Sequence, residues 1–223
     1  MKSYVSLVYV VVLSFISCKS VMMNMYGIKD PRKLSNHEIS IKAEKLGIPS
    51  NLSYTLKPIY FKALIQDDTT KPYGINVSGG KSCGPLNDYM QPLQLMYFDS
   101  AGKLISFHIN CYATGFPKLH WNNKGQFDQF IPASSVPLTE NVVTRQFVLS
   151  YLDPVDGYSN YPANKNIAIL FWSDFMYKQS KELIRVANQN LKLDRTHNTA
   201  ILYVNVDNNY TDTALSKNIK ADN

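Results

Sequence analysis

Cys83 and Cys111 are the two thiols that the body of the chain offers for chemistry, with a third, Cys18, near the N-terminus. In an exported protein an even pair of cysteines reads first as a disulfide. A Cys83–Cys111 bridge would close a loop of about 28 residues, worth roughly 3–4 kcal/mol in the chain-entropy account. Two other readings stay open. Cys111, on the apolar face of its strand, can be an inert buried thiol, or the two can form a reactive pair with Cys83, beside Gly84-Pro85, as the exposed partner. His108 lies close to Cys111, but on a strand the two point to opposite faces. His120 and His197 have no partner at metal-ligand spacing, so neither a metal nor a cofactor is expected. Ser173, Asp174 and Asp207 fall at the carboxyl ends of two apolar runs, where open α/β sheets bind ligands, and form a candidate ligand site. Asp174 reads first as a helix cap and Asp207 as a turn residue. No histidine is placed near them, so a Ser-His-Asp arrangement has no support and no catalytic residue is assigned.

The elements that position these residues are best defined between Asn166 and Asp207. Asn166–Trp172 and Thr199–Asp207 are nearly unbroken apolar runs, the habit of parallel strands covered on both faces. Between them Met176, Ser180, Leu183, Ala187 and Leu191 recur at helical spacing, and Ser173 or Asp174 can cap the helix. Strand, helix and strand predict a right-handed βαβ crossover. The turn Trp172-Ser-Asp-Phe-Met-Tyr-Lys178 resembles the Trp-Cys-x-x-Cys-Lys turn of thioredoxin-like oxidoreductases, and Val204-Asn-Val-Asp207 resembles the end of the family's next strand. Ser173 and Met176 stand at the two cysteine positions, where redox exchange needs a thiolate. Too few residues follow Asp207 for the helix, cis-proline loop and hairpin that complete that fold. The resemblance therefore implies a thioredoxin-like scaffold without its chemistry, or a convergent βαβ unit.

Upstream, Ser35-Asn-His-Glu38 is a capping box opening a helix to about Leu46, with Gly47 closing it. Tyr54–Ile65 predicts a second short element, helical after Pro58. Ser78–Pro85 is glycine-rich with Lys81 and Ser82, but its spacing is wrong for a phosphate loop, and it reads as a mobile surface loop. Leu93–Cys111 predicts a β-hairpin about a type I turn, Asp99–Gly102. Ile105, Phe107, Ile109 and Cys111 should share one face, and Leu104, Ser106, His108 and Asn110 the other. Trp121–Phe127 repeats the pattern, with Gly125 matching Gly102, and suggests a meander of hairpins. Thr139–Leu152 predicts a helix with Val142 or Val143, Phe147 and Tyr151 inward. The fold class is mixed α/β: a thioredoxin-like βαβ unit with a preceding antiparallel hairpin region. The domain reading is signal peptide 1–17, tether 18–34, helix plus hairpin region 35–135 and βαβ region 136–223, with 35–223 open to being one domain. The hairpin is expected to pair with the parallel strands and supply the missing edge.

The N-terminus speaks of location. Lys2 precedes the apolar run Tyr4–Ile16, which is shorter than the ~20 residues that span a bilayer and has the length of an export signal's core. Phe15-Ile16-Ser17-Cys18 resembles a bacterial lipobox, with Phe15 where leucine is usual. The chain also resembles small envelope lipoproteins of the Bacteroidetes type, from the short signal, the Cys18-Lys-Ser start and a strand of the form FHINCYA. That likeness implies a membrane-anchored place in the bacterial cell envelope, on the outer membrane or periplasmic face, and no activity. Acyl chains on Cys18, at about 0.8 kcal/mol per buried CH₂, would hold the chain there. Asn51-Leu-Ser, Asn76-Val-Ser and Asn209-Tyr-Thr match the N-glycosylation pattern and keep a secreted protein as second choice. The net charge of +6 is mild, and no basic stripe interleaved with aromatics occurs, which argues against nucleic-acid binding. Two function classes follow. One is a non-catalytic envelope protein with an unidentified protein or small-molecule partner. The other is a thiol-disulfide oxidoreductase using Cys83 and Cys111.

Overall fold

The computed structural model describes residues 23, 25–64, 88–138, 143–157, 161 and 165–211. In chain order the elements are α1 (Asn36–Lys45), β1 (Ser53–Leu56), β2 (Gln94–Phe98), β3 (Leu104–Ile109) and α2 (Arg145–Ser150). Then follow β4 (Leu152–Pro154), β5 (Asn166–Trp172), α3 (Tyr177–Leu191), β6 (Thr199–Asn205) and the short α4 (Asp207–Tyr210). Among the described residues the strands form one six-stranded mixed sheet in the order β3-β2-β5-β6-β1-β4, so the fold is mixed α/β. β5, β6 and β1 run parallel; β2 is antiparallel to β5, β3 to β2 and β4 to β1.

The apolar runs behave as their composition dictates. In β5, Ala168, Leu170 and Trp172 enter the core on one face, while Ile167, Ile169 and Phe171 enter the core on the other. A strand buried on both faces has no polar side to alternate with. The first face is covered by α1, α3 and the segment holding Leu119, Trp121 and Phe127. The second is covered by the helical turn 60–64, α2, Tyr89 and Val136. The β2–β3 hairpin pairs along β5 from Gln94↔Phe171 to Phe98↔Ile167 and supplies that edge, as expected. Its turn closes through Gly102 N–H to Asp99 O at 3.0 Å, with Gly102 at φ +87. Arg145, opening α2, donates to the Asp99 and Ser100 carbonyls.

Several expectations need correction. The register shifts between Tyr97 and Phe98, so Phe98 pairs with Leu104 and Tyr97 with Ser106. This bulge turns Leu104 to the face of Phe107 and Ile109 and Ile105 to the opposite one. β3 ends at Ile109, and Cys111 sits exposed in the following turn, not on the apolar face of a strand. Trp121–Phe127 forms turns, not a second hairpin. Gly125 does take a positive φ of 71, as Gly102 does, but Trp121 and Phe127 both point into the core and leave no strand to alternate. Helix α2 is short: Thr144 caps it, and Val148 and Leu149 are its buried residues, whereas Phe147 and Tyr151 are half-buried. Tyr54 belongs to a strand, β1. Residues 25–34, read as tether, pack against the sheet's carboxyl end. The loop 78–85 lies outside the described residues.

Candidate functional site

Ser173, Asp174 and Asp207 do come together where β5 and β6 end, and the bonds among them are structural. The Asp207 carboxylate accepts Asp174 N–H at 2.8 Å, Phe175 N–H at 3.2 Å and Asn205 Nδ2–H at 2.6 Å. Burial holds its carboxyl above the usual carboxylate range, and the Asp174 charge adds to this, while these donors pull the other way. Val206 N–H closes onto Trp172 O. Ser173 does not cap the helix: its N–H donates to Ser180 Oγ at 3.0 Å, and Ser180 Oγ–H donates to Ser173 O at 2.8 Å. The Ser173 hydroxyl and the Trp172 indole N–H are buried without a hydrogen-bond partner. Asp174 is not the helix cap either. Helix α3 starts beyond Met176 with no side-chain cap, and the Asp174 carboxylate faces Lys42 Nζ at 2.8 Å and Lys29 Nζ at 4.0 Å.

The crevice at the strand ends is filled by the protein's own chain. Lys29 N–H donates to Phe175 O at 2.8 Å, and Ile28 bridges Met176. Leu34 exchanges two hydrogen bonds with the Asn208 side chain. Ser173, at the carboxyl end of β5, is a buried hydroxyl, and Met176, just before α3, is a buried thioether. Asn209, within a glycosylation pattern, is 2% exposed and donates to Lys57 O, so its amide is not presented to solvent. Cys111 lies beside Gln91, Sγ to Oε1 at 3.1 Å. Cys18 and Cys83 lie outside the described residues. No protein-family model, curated protein or solved structure matches the chain.

Two arrangements escape the sequence reading. On β3, Ser106 Oγ and His108 Nε2 lie 2.9 Å apart, both fully buried, with the Phe127 ring 4.5 Å from the imidazole. Burial pushes His108 down to about 3, and its Nδ1 has no hydrogen-bond partner. Alternate residues on a strand share a face, which was the available signal. Both side chains are closed off from solvent, and among the described residues no carboxylate is hydrogen-bonded to the imidazole. The second arrangement is a cleft of about 370 Å³ beside the start of α3, lined by Tyr26, Pro117, Lys118, Lys178 and Gln179 among others. Its residues come from three separate stretches, so no local motif announces it. Among the described residues no group of three metal-ligating side chains converges, and no helix is long and apolar enough to cross a membrane.

Proposed function

We propose that this is an exported protein held at the bacterial cell envelope by acyl chains on Cys18, with a folded part that binds a protein or small molecule and performs no reaction. The observation that carries the reading is the apolar run Tyr4–Ile16 ended by Ser17-Cys18-Lys19. The non-catalytic half is supported by the site. Ser173 and Met176 replace the thiols a redox turn requires, and both Asp207 oxygens are committed to backbone and amide donors. A thioredoxin-like scaffold is supported by the sheet order, in which an antiparallel hairpin flanks the first strand of the βαβ unit. Here that hairpin comes from upstream in the chain. Mass spectrometry of the mature N-terminus after membrane fractionation tests the anchor. A diacyl or triacyl mass on a chain starting at Cys18 is expected, and an unmodified chain starting elsewhere defeats the assignment.

A second reading, a thiol-disulfide enzyme using Cys83 and Cys111, is favoured by one feature: Cys111 is exposed in a turn. Thiol titration with and without reductant, followed by an insulin-reduction assay, separates the two. Exchange with glutathione that Cys83→Ser abolishes belongs to the enzyme. A pair that resists exchange, and whose loss only lowers stability, belongs to the binding protein.

A further inference from the structure

We infer that the loop face around the start of α3, carrying Met25, Phe116 and Lys118, is the surface this protein lays against an anionic lipid bilayer. The inference builds on the lipid-anchor reading and adds an orientation to it.

Met25 is 63% exposed and Phe116 61%, the two highest values for large apolar side chains among the described residues. They sit on chain segments far apart in sequence but held together by one residue. Gln179, itself 4% exposed, donates from its single amide nitrogen, Nε2, to Tyr26 O at 3.2 Å and to Pro117 O at 2.7 Å. The two carbonyls are therefore no further apart than two hydrogen bonds end to end, and Met25 and Phe116 each lie one residue before them. Lys178 Nζ fixes the Met25 carbonyl at 2.7 Å. The loop bearing Phe116 is closed by the Thr114–His120 bridge. Gly115, at φ +83, has no room for a Cβ against the His120 ring and the Lys118 carbonyl. Phe116 is thus displayed by a stiff loop, which lowers the ordering cost of inserting it.

The charge around this pair is positive. Lys118 and Lys178 are exposed here, and Lys29, also exposed, lies 4.0 Å from the Asp174 carboxylate, which Lys42 holds at 2.8 Å. The acidic residue in the cleft, Glu182, is already held by Arg185 through bonds of 2.6 and 2.9 Å. Exposed aromatic and thioether groups ringed by lysines match the boundary of a membrane, with acyl chains below and phosphates above. Reach points the same way. Met25 lies seven positions beyond Cys18, and seven extended steps span at most about 25 Å. A domain of this size is roughly 40 Å across, so a chain anchored at Cys18 must turn this end toward the bilayer.

Brominated-lipid quenching of a reporter tryptophan tests the orientation. Both native tryptophans are buried, at 2% and 0% exposure for Trp121 and Trp172, so F116W adds a separable signal at an exposed site. The chain from Lys19 onward is tethered by an N-terminal hexahistidine tag to nickel-chelating vesicles of phosphatidylcholine and phosphatidylglycerol with brominated acyl chains. This supplies the tether whether or not Cys18 is acylated, so failure of the anchor, read by mass spectrometry, is distinct from failure of the surface. The added emission should fall by about half or more. The quenching should drop several-fold on vesicles without phosphatidylglycerol, in 0.5 M salt on the order of a 4 Å Debye length, and with K118E. A control, L193W, sits two residues past the far end of α3, about 24 Å away at 1.5 Å per helical residue, and should stay bright. The inference is overturned by unquenched F116W on vesicles that hold the protein, by equal quenching of F116W and L193W, or by quenching indifferent to lipid charge. It is also overturned if sedimentation shows a dimer that F116W dissolves, because that assigns the face to a second copy.

Discussion

Asp207 is a carboxylate held in the interior by donors from three residues, Asp174, Phe175 and Asn205. Asp207→Ala leaves the Asp174 and Phe175 amides buried without an acceptor. Orphaned buried donors cost about 1–3 kcal/mol each when not rescued by water, so a loss of about 2–4 kcal/mol in urea unfolding at pH 7 is expected. A change under 1 kcal/mol would show the turn is held by something else. His108 and Asp88 make opposing predictions about acid. Burial lowers His108 from 6.5 to about 3, so the stability it confers is complete above pH 6.5 and is lost as pH falls toward 3, by roughly 4 kcal/mol at the end of that window. Burial raises Asp88 to about 6, so its contribution is present below its unfolded value near 4 and lost as pH rises through 6. Between pH 6 and 4 the two effects offset, and below 4 Asp88 no longer offsets the histidine's loss. His108→Gln should flatten the fall below pH 4, and Asp88→Asn should expose a fall between 6 and 4. Urea midpoints across pH 3–8 check both, and curves parallel to the parent would refute the assignments.

At the scale of elements, the capping box on α1 is the clearest case of local sequence dictating structure. Ser35 Oγ accepts Glu38 N–H at 3.3 Å, and Glu38 Oε2 accepts Ser35 N–H at 3.0 Å. The Ser35 amide and then Arg32 hold the Glu38 carboxyl down at about 2. Ser35→Ala should therefore cost about 1 kcal/mol in thermal or urea unfolding, and an unchanged midpoint would deny the cap any part in stability. Elements with this kind of local signature were legible: α1, the β2–β3 hairpin, β5, α3 and β6 all follow from periodicity, caps or turn residues. β1 and β4 were not, because four and three residues carry no period, and what makes them strands is pairing with partners distant in the chain. The segment after β3 misled for a different reason. Its glycine and aromatic spacing copies a hairpin, yet Asn190 on α3 takes the Phe127 and Gln129 carbonyls at 2.9 and 2.8 Å and holds the segment as a cover over the sheet. Ser173, Asp174 and Asp207 were placed correctly at the strand ends. Their roles depend on residues 25–42 folding back, which no local pattern reveals.

For the whole molecule the sheet order matters more than any one contact. β1 comes from the region before the hairpin and pairs with β6, at the far end of the chain from it, from Ser53↔Tyr203 to Thr55↔Asn205. β2 and β3 reach the other edge through β5. The helix-plus-hairpin region and the βαβ region therefore share one sheet and two common core faces. Shared burial of this kind makes unfolding cooperative. Trp172 lies in β5 and Trp121 in the covering segment, both in the same core cluster, so each can report on one region. Trp121→Phe leaves fluorescence to Trp172, and Trp172→Phe leaves it to Trp121. Either change alters stability by itself, so each variant is compared with its own far-ultraviolet circular dichroism rather than with the parent. In both, the fluorescence and dichroism midpoints in urea should coincide. In either background Phe107→Ala, a cavity on the hairpin's inner face, should lower both midpoints together by the equivalent of about 3–5 kcal/mol. A Trp172 transition that stays in place while the Trp121 transition moves would mean that the βαβ unit stands without the hairpin, and that the sheet is two folding units sharing an edge.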